Sequence, residues 1–180
     1  SDYFLKFDRD DILTHIKLIS QLSKDTLSLI HVKDLSSTLK EIHVVAFDYN
    51  YEFSKIAGVF AVNNISIMSG ESFTYSDFDK IISEEERATF FYRRTRKHLS
   101  NHNIALSDKM SLIRKRKIIC VLTADITGED QFPDQLIQNE INKLLKYLEE
   151  KKIEQAEEYL NNKMKQTLTN KTDNEIGAIP

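Results

Sequence analysis

The chain has 180 residues, a mass of 21.0 kDa and a net charge of −3, which is the size of one domain with extensions. Four glycines and two prolines are too few turn formers for a many-stranded sandwich or barrel, and they favour long helices beside a small sheet. One cysteine, Cys120, excludes a disulfide framework, and the sequence contains neither a membrane-spanning run nor a signal peptide, so we expect a soluble cytoplasmic protein.

The chain begins with a predicted helix and a short predicted strand. Residues 8–23 show a helical period, and Asp8 is suited to cap the first turn. Residues 27–32 are apolar enough for a short strand. The buried stripe of the helix is predicted to be Ile12, Ile16 and Ile19.

The next stretch predicts a βαβ unit. Residues 39–47 and 65–75 read as strands, and residues 51–63 between them have a helical period that ends at Asn63-Asn64, a pair suited to a left-handed C-cap. We expect the two strands to lie side by side and parallel, with the helix covering one face of the sheet. The helix stripe of Ile56 and Phe60 should then pack against Ile42, Val44, Ile65 and Ile67.

The second half of the chain predicts more helix and one further strand. Two capping-box patterns place a helix within 77–101, and the apolar run 117–125 fits a buried central strand. Pro133 is suited to begin a helix, which we predict over 134–166 with a frayed tail after it. That helix could serve as a coiled-coil seam for a partner, but its stripe changes register near residue 150, which favours packing within the chain.

No enzymatic motif is found. The sequence lacks a phosphate-binding glycine loop, a dinucleotide fingerprint and a nucleophile elbow, and we expect no cofactor. The five histidines are scattered along the chain, and His98 and His102 are more readily two solvated side chains than metal ligands. Cys120 lies within an apolar strand, where a thiol is expected to be a small inert core residue.

Positive charge is concentrated in residues 87–117, which hold ten basic side chains and one acidic one. Together with neighbouring aromatic residues this segment could bind nucleic acid, although an amphipathic helix with solvated arginines explains the same pattern and is favoured. The residues that would contact nucleic acid are Arg93, Arg94, Arg96, Lys97, Arg114 and Arg116.

The loop over 48–53 is the strongest candidate for a ligand site. It joins a strand to the start of a helix, where free N–H groups and the helix dipole favour an anion or a carboxylate. Glu52 lies in the first turn of that helix and could satisfy the dipole from within the chain.

The run over 41–75 (EIHVVAFDYNYEFSKIAGVFAVNNISIMSGESFTY) resembles the first half of an ACT domain. The family pattern is an apolar strand ending in Asp, a turn, a helix containing I-A-G, and a strand that begins with N-I. The positions that match in order are Asp48, Phe53, Ile56, Ala57, Gly58, Phe60, Ala61, Asn64, Ile65 and Thr74. The resemblance covers residues 8–75 and is strongest to the ACT region of PII-protein uridylyltransferases, also called uridylyl-removing enzymes, where a similar helix precedes the domain.

This resemblance implies an α+β fold with a ferredoxin-like βαββαβ sheet and a regulatory role. It places residues 1–35 as a leading helix and strand, 36–126 as the ACT-like domain with a basic helical insertion around 77–116, and 127–180 as a long C-terminal helix and tail. Two uncapped edges of such a small sheet would favour pairing with a second copy, so we expect a homodimer. By the resemblance, the chain is either a regulatory part of a larger nucleotidyltransferase or a diverged relative. An amino acid or similar effector would bind at Asp48, Tyr49, Asn50, Tyr51, Glu52 and Phe53.

Overall fold

The computed structural model describes residues 3–75, 115–126 and 132–176. The described part contains five helices and four strands. In chain order they are α1 (Tyr3–Lys6), α2 (Arg9–Gln21), β1 (Ser28–Asp34), β2 (Leu39–Phe47), α3 (Glu52–Val62), β3 (Ser66–Tyr75), β4 (Lys117–Asp125), α4 (Asp134–Glu149) and α5 (Ile153–Ile176). None of the helices in these ranges is both long enough and apolar enough to cross a membrane.

The four strands form one sheet in the order β1–β2–β4–β3, and every neighbouring pair is antiparallel. β2 and β3 are therefore parallel to each other, as predicted, but β4 lies between them. The prediction that β2 and β3 lie side by side is wrong. A bulge between Ile67 and Ser69 interrupts the pairing of β3 with β4.

β4 occupies an inner position because both of its faces are apolar. All of its side chains except Thr123 and Asp125 are buried, as predicted for a central strand. Such a strand is most stable where both faces are covered and both edges are paired. β3 is polar and largely exposed, which suits the edge of the sheet.

One face of the sheet is covered by α3 and α4. The even-numbered side chains from position 42 onward in β2 and all those of β4, including Ile42, Val44 and Leu122, belong to one core with Ile56 and Phe60 of α3. The predicted packing of the α3 stripe is therefore confirmed, and Ile65 and Ile67 also contact this core. The α4 residues that complete the core are Ile137, Ile141, Leu144, Leu145 and Leu148.

The opposite face of the sheet is covered by α1 and α2. Val45, Ile119 and Val121 pack there against Tyr3 and Phe7 of the N-terminal segment. As predicted, Asp8 caps α2, and its carboxylate accepts a hydrogen bond of 2.9 Å from the Asp11 amide. The predicted stripe is wrong at Ile16, which is 57% exposed, because His15 takes the buried position between Ile12 and Ile19.

Side chains of α4 cap the outer edge of β1. The amides of Leu27 and Ser28 donate to Asn142 Oδ1 at 2.8 and 2.9 Å, and the Ile30 amide donates to Gln138 Oε1 at 3.2 Å. These amides would otherwise be available to a further strand. The expectation of two uncapped edges is therefore wrong for β1, and β3 is the edge strand that has no partner within the described ranges.

The predicted single helix over 134–166 is two helices. α4 ends at Glu149, and Lys151 takes a left-handed conformation with φ 58°. The amides of Lys151 and Lys152 bond back to the carbonyls of Leu148 and Tyr147, which is a Schellman motif. α5 then reaches Ile176, beyond the predicted end, and packs on α3, so the expected packing within the chain is confirmed.

Candidate functional site

The loop between β2 and α3 is joined directly to the start of β4. The Asp48 amide donates to the Arg116 carbonyl at 2.9 Å, and the Arg116 guanidinium lies 2.7 Å from Asp48 Oδ2. Asp48 is largely buried, whereas Arg116 is mostly exposed. The pair therefore places an exposed guanidinium beside a largely buried carboxylate at the predicted ligand loop.

The turn into α3 is made by exposed residues in an unusual backbone conformation. Tyr51 has φ 71°, a left-handed value that is uncommon for a residue other than glycine. Its side chain makes no capping hydrogen bond, so the N-terminus of α3 is not capped by its N-cap residue. Asn50 and Tyr51 both face solvent and leave this positive end of the helix dipole near the surface.

Glu52 is the buried member of the loop, with 7% of its surface exposed. Burial raises the pKa of its carboxyl group, and the nearby Asp48 carboxylate raises it further, against the lowering effects of its own backbone amide and Arg116. The same two acids, after burial itself, raise the pKa of the Cys120 thiol to about 12. Cys120 is thus a buried protonated thiol, as predicted.

A second ion pair lies beside the loop. The Lys115 ammonium is 2.8 Å from Glu149 Oε1 of α4 and lies over the rings of Phe47 and Tyr49 at 5.5 and 5.7 Å. The Tyr49 hydroxyl donates to the same Glu149 oxygen at 3.3 Å. Burial raises the pKa of Tyr49, and Glu149 adds to the effect. Tyr49 therefore stays a neutral hydrogen-bond donor.

Phe53 connects the loop to the far edge of the sheet. A Cβ atom at Gly70 would lie 3.2 Å from Phe53 Cζ and 2.7 Å from Leu122 Cδ2, so the absence of a side chain at Gly70 lets the phenyl ring lie close to β3. The ring remains 37% exposed. The six predicted site residues are contiguous and span the loop and the first turn of α3. Glu52 is buried and Asp48 half-buried, whereas Tyr51 and Phe53 are exposed.

Of the basic residues predicted to contact nucleic acid, only Arg116 is within the described ranges; the other five lie outside them, as do His98 and His102. Three basic residues of the segment 87–117 lie within the described ranges, and all three interact with other groups of the same polypeptide. Arg116 pairs with Asp48 and Lys115 with Glu149, while the buried Lys117 ammonium donates to the Lys115 carbonyl at 2.6 Å. Among the described residues no group of His, Cys, Asp or Glu is arranged to hold a metal ion.

The structure also brings together polar residues that are scattered along the sequence. On the α2 face of the sheet, the Tyr3 hydroxyl lies 2.7 Å from His15 Nδ1, and His15 Nε2 lies 2.6 Å from His43 Nδ1. His43 Nε2 is 2.8 Å from Glu41 Oε1. His31 pairs with His43 in the β1–β2 register. The expectation of scattered histidines is therefore wrong for His15, His31 and His43.

Two signals in the sequence pointed to this cluster. His15 is three residues after Ile12 and four before Ile19, which is the spacing of a buried helix stripe. His43 lies in the middle of an apolar strand, where every position from Ile42 to Phe47 is buried. Pairing His15 with His43 required the packing of α2 on β2, which no local pattern encodes.

Comparison of the chain with protein-family models, with curated proteins and with solved structures gave no match.

Proposed function

We propose that the chain is an ACT-like regulatory module that binds an amino acid or a similar small effector at the β2–α3 loop and performs no chemistry itself. By the same resemblance, the activity it regulates would be that of a signalling enzyme of the PII-protein uridylyltransferase kind. The observation that carries the proposal is the Asp48–Arg116 ion pair at this loop, in which the guanidinium is exposed.

The strand order supports the proposal that the chain is ACT-like. β2, α3 and β3 form a βαβ unit that is split by the intervening β4, which is the arrangement of ferredoxin-like sheets. The last strand of the βαββαβ pattern would normally follow the second helix. Here β1, from the N-terminal side, takes the place beside β2, while α3 and α4 cover one face.

The charges of the loop support the ligand class. A free amino acid carries one ammonium and one carboxylate group a few bonds apart. Asp48 can receive the ammonium, and Arg116 can receive the carboxylate. The ligand would exchange its own charges for the existing ion pair, so binding would not leave a buried charge without a partner.

Titration calorimetry with the common amino acids tests this proposal. We expect at least one amino acid to bind wild-type protein, and Arg116→Gln to weaken that binding by about tenfold or more, the usual effect of losing a charge-assisted hydrogen bond. Arg116 is mostly exposed, so the variant should fold normally. Arg9→Gln on the exposed start of α2 is the matched control and should bind like the wild type. A silent panel, or equal binding by Arg116→Gln, would contradict the proposal.

We also propose that two copies pair through β3. Because α4 caps the β1 edge, β3 is the edge available among the described strands. Pairing two β3 strands about a two-fold axis would extend the sheet across both copies.

Sedimentation velocity over a range of concentrations should detect this dimer. Met68→Lys places a charge at an exposed position of β3 and is expected to shift the equilibrium to monomer, since charged side chains on edge strands oppose pairing. Leu168→Lys makes a similar change on exposed α5 and should leave the dimer intact. A wild type that is monomeric at every concentration, or a Met68→Lys variant that still dimerises, would rule out this interface.

A further inference from the structure

The hydrogen bonds that link Tyr3, His15, His43 and Glu41 have one direction. A carboxylate only accepts, so His43 Nε2 carries the proton that bonds to Glu41. In the neutral ring, His43 Nδ1 is then an acceptor and takes a hydrogen bond from His15 Nε2. His15 Nδ1 accepts in turn from the Tyr3 hydroxyl. With both imidazoles neutral, every ring nitrogen in the chain has one partner.

The surroundings of these four hydrogen-bonded side chains do not solvate an added charge. His15 and His43 are fully buried, and the Phe7 ring meets His15 edge-on at 4.9 Å. The titratable and charged groups that face the two histidines are Asp11 of α2, His31 and Lys33 of β1, Glu41 of β2 and Tyr3 of α1. The Lys33 ammonium is already held by Asp11 at 2.8 Å and by Glu41 at 3.4 Å.

We propose that the four-residue chain of Tyr3, His15, His43 and Glu41 is a proton-operated latch that holds α1 and α2 on the sheet at neutral pH and releases them in acid. The proton comes from water and binds His15 Nδ1, which then no longer accepts from Tyr3. The resulting imidazolium is buried beside a second imidazole, and it gains hydration only when α2 separates from the sheet.

The pH range in which the helices are released follows from the pKa of His15. Burial, and then the neighbouring His43, lower the pKa of His15 from 6.5 to about 4, and Asp11 opposes the shift. The open form therefore binds more protons than the closed form between these values. The free energy that favours the closed form is therefore largest above pH 6.5 and decreases as the pH falls toward 4. The opening constant should rise by up to tenfold per pH unit between the two pKa values, and by about 300-fold in all from well above pH 6.5 to well below pH 4.

Opening can be local because the two faces of the sheet have separate cores. The latch belongs to the cluster of Tyr3, Phe7, Val45, Ile119 and Val121. The larger core, with α3 and α4, is on the other face of the sheet. Release of α1 and α2 would expose one apolar face of the sheet and leave the larger core in place.

Hydrogen exchange followed by NMR on the full chain tests the latch. Protection factors are measured for amides of α2 and, as an internal reference, for Leu144 and Leu145 of α4. Between pH 6.5 and 5 we expect α2 protection to fall about 15-fold while α4 protection stays constant. His15→Gln keeps one donor and one acceptor but does not titrate, so its α2 protection should not change with pH. Lys17→Gln, at an exposed position of α2 outside the four hydrogen-bonded residues, is the control and should respond like the wild type.

The nitrogen-15 shifts of the imidazoles give a test that needs no variant. At pH 7.5 both His15 and His43 should be protonated at Nε2 and unprotonated at Nδ1. A proton on Nδ1 of either ring overturns the proposal. So does wild-type α2 protection that changes less than threefold, α4 protection that falls together with it, or a His15→Gln variant that keeps the acid response. If His15→Gln fails to fold, the nitrogen-15 shifts of the two histidines and the pH dependence of wild-type α2 protection test the proposal without it.

Discussion

Replacing Phe60 with alanine should lower the free energy of unfolding by about 3–5 kcal/mol. The Phe60 side chain is fully buried between α3, the sheet and the start of α4, where its ring stacks on Phe132 with centroids 6.2 Å apart. The truncation removes apolar contact and leaves a cavity that the surrounding β-strands cannot close. Urea denaturation followed by circular dichroism measures the change.

Phe4→Ala is the matched control for Phe60→Ala. The Phe4 side chain is 67% exposed, so the same chemical change there should cost less than about 1 kcal/mol. A loss at Phe60 no larger than the loss at Phe4 would show that α3 is not packed on the sheet. Since a domain of this size is stable by only about 5–15 kcal/mol, the Phe60 variant is measured at low temperature and with a full baseline.

Replacing Asn142 with leucine should destabilise the protein by about 2–4 kcal/mol, although leucine is the better helix former. The Asn142 side chain accepts from the Leu27 and Ser28 amides and donates to the carbonyls of Ser28 and Gln138. Leucine would leave two amides of buried residues without a partner, and each such group costs about 1–3 kcal/mol. Urea denaturation again gives the difference.

Two further variants distinguish the effect of losing the Asn142 hydrogen bonds from the effect of changing side-chain size on α4. Asn142→Asp keeps an acceptor for both amides but loses the two donated bonds, so its loss should be smaller than that of Asn142→Leu. Asn139→Leu changes an exposed asparagine one turn earlier, and its effect should stay within about 0.5 kcal/mol. Equal losses at positions 139 and 142 would contradict the proposed capping of the β1 edge.

The two Schellman motifs show how far local sequence determines the ends of helices. α3 ends at Asn63-Asn64, and Asn64 has the left-handed φ of 60° that the asparagine pair predicted. The Asn64 amide donates to the Ala61 carbonyl at 3.1 Å and the Ile65 amide to the Phe60 carbonyl at 2.9 Å. α4 ends with the same hydrogen bonds, but Lys151 takes the left-handed position. Lysine has no local preference for this conformation. The packing of α5 back onto α3 holds Lys151 in the left-handed conformation.

The predicted ligand loop and the histidine chain differ in the same way. Residues 48–53 are contiguous, so the position of the loop followed from the ends of β2 and α3. The partners that give the loop its charge pattern, Arg116 and Glu149, are more than 60 residues away in the chain. His15 and His43 are also distant in sequence, and each one alone resembles an ordinary solvated or core histidine.

The sequence alone determined the helix and strand segments over 8–75, the cap at Asp8, the burial of Cys120 and the apolar nature of β4. These features depend on side-chain period and on contacts between residues a few positions apart, which a single sequence displays directly. Tertiary structure alone decided the insertion of β4 between β2 and β3, the capping of β1 by α4 and the histidine chain. Each of these satisfies a buried polar group or a sheet edge with a partner far along the chain, and such a partner has no local pattern.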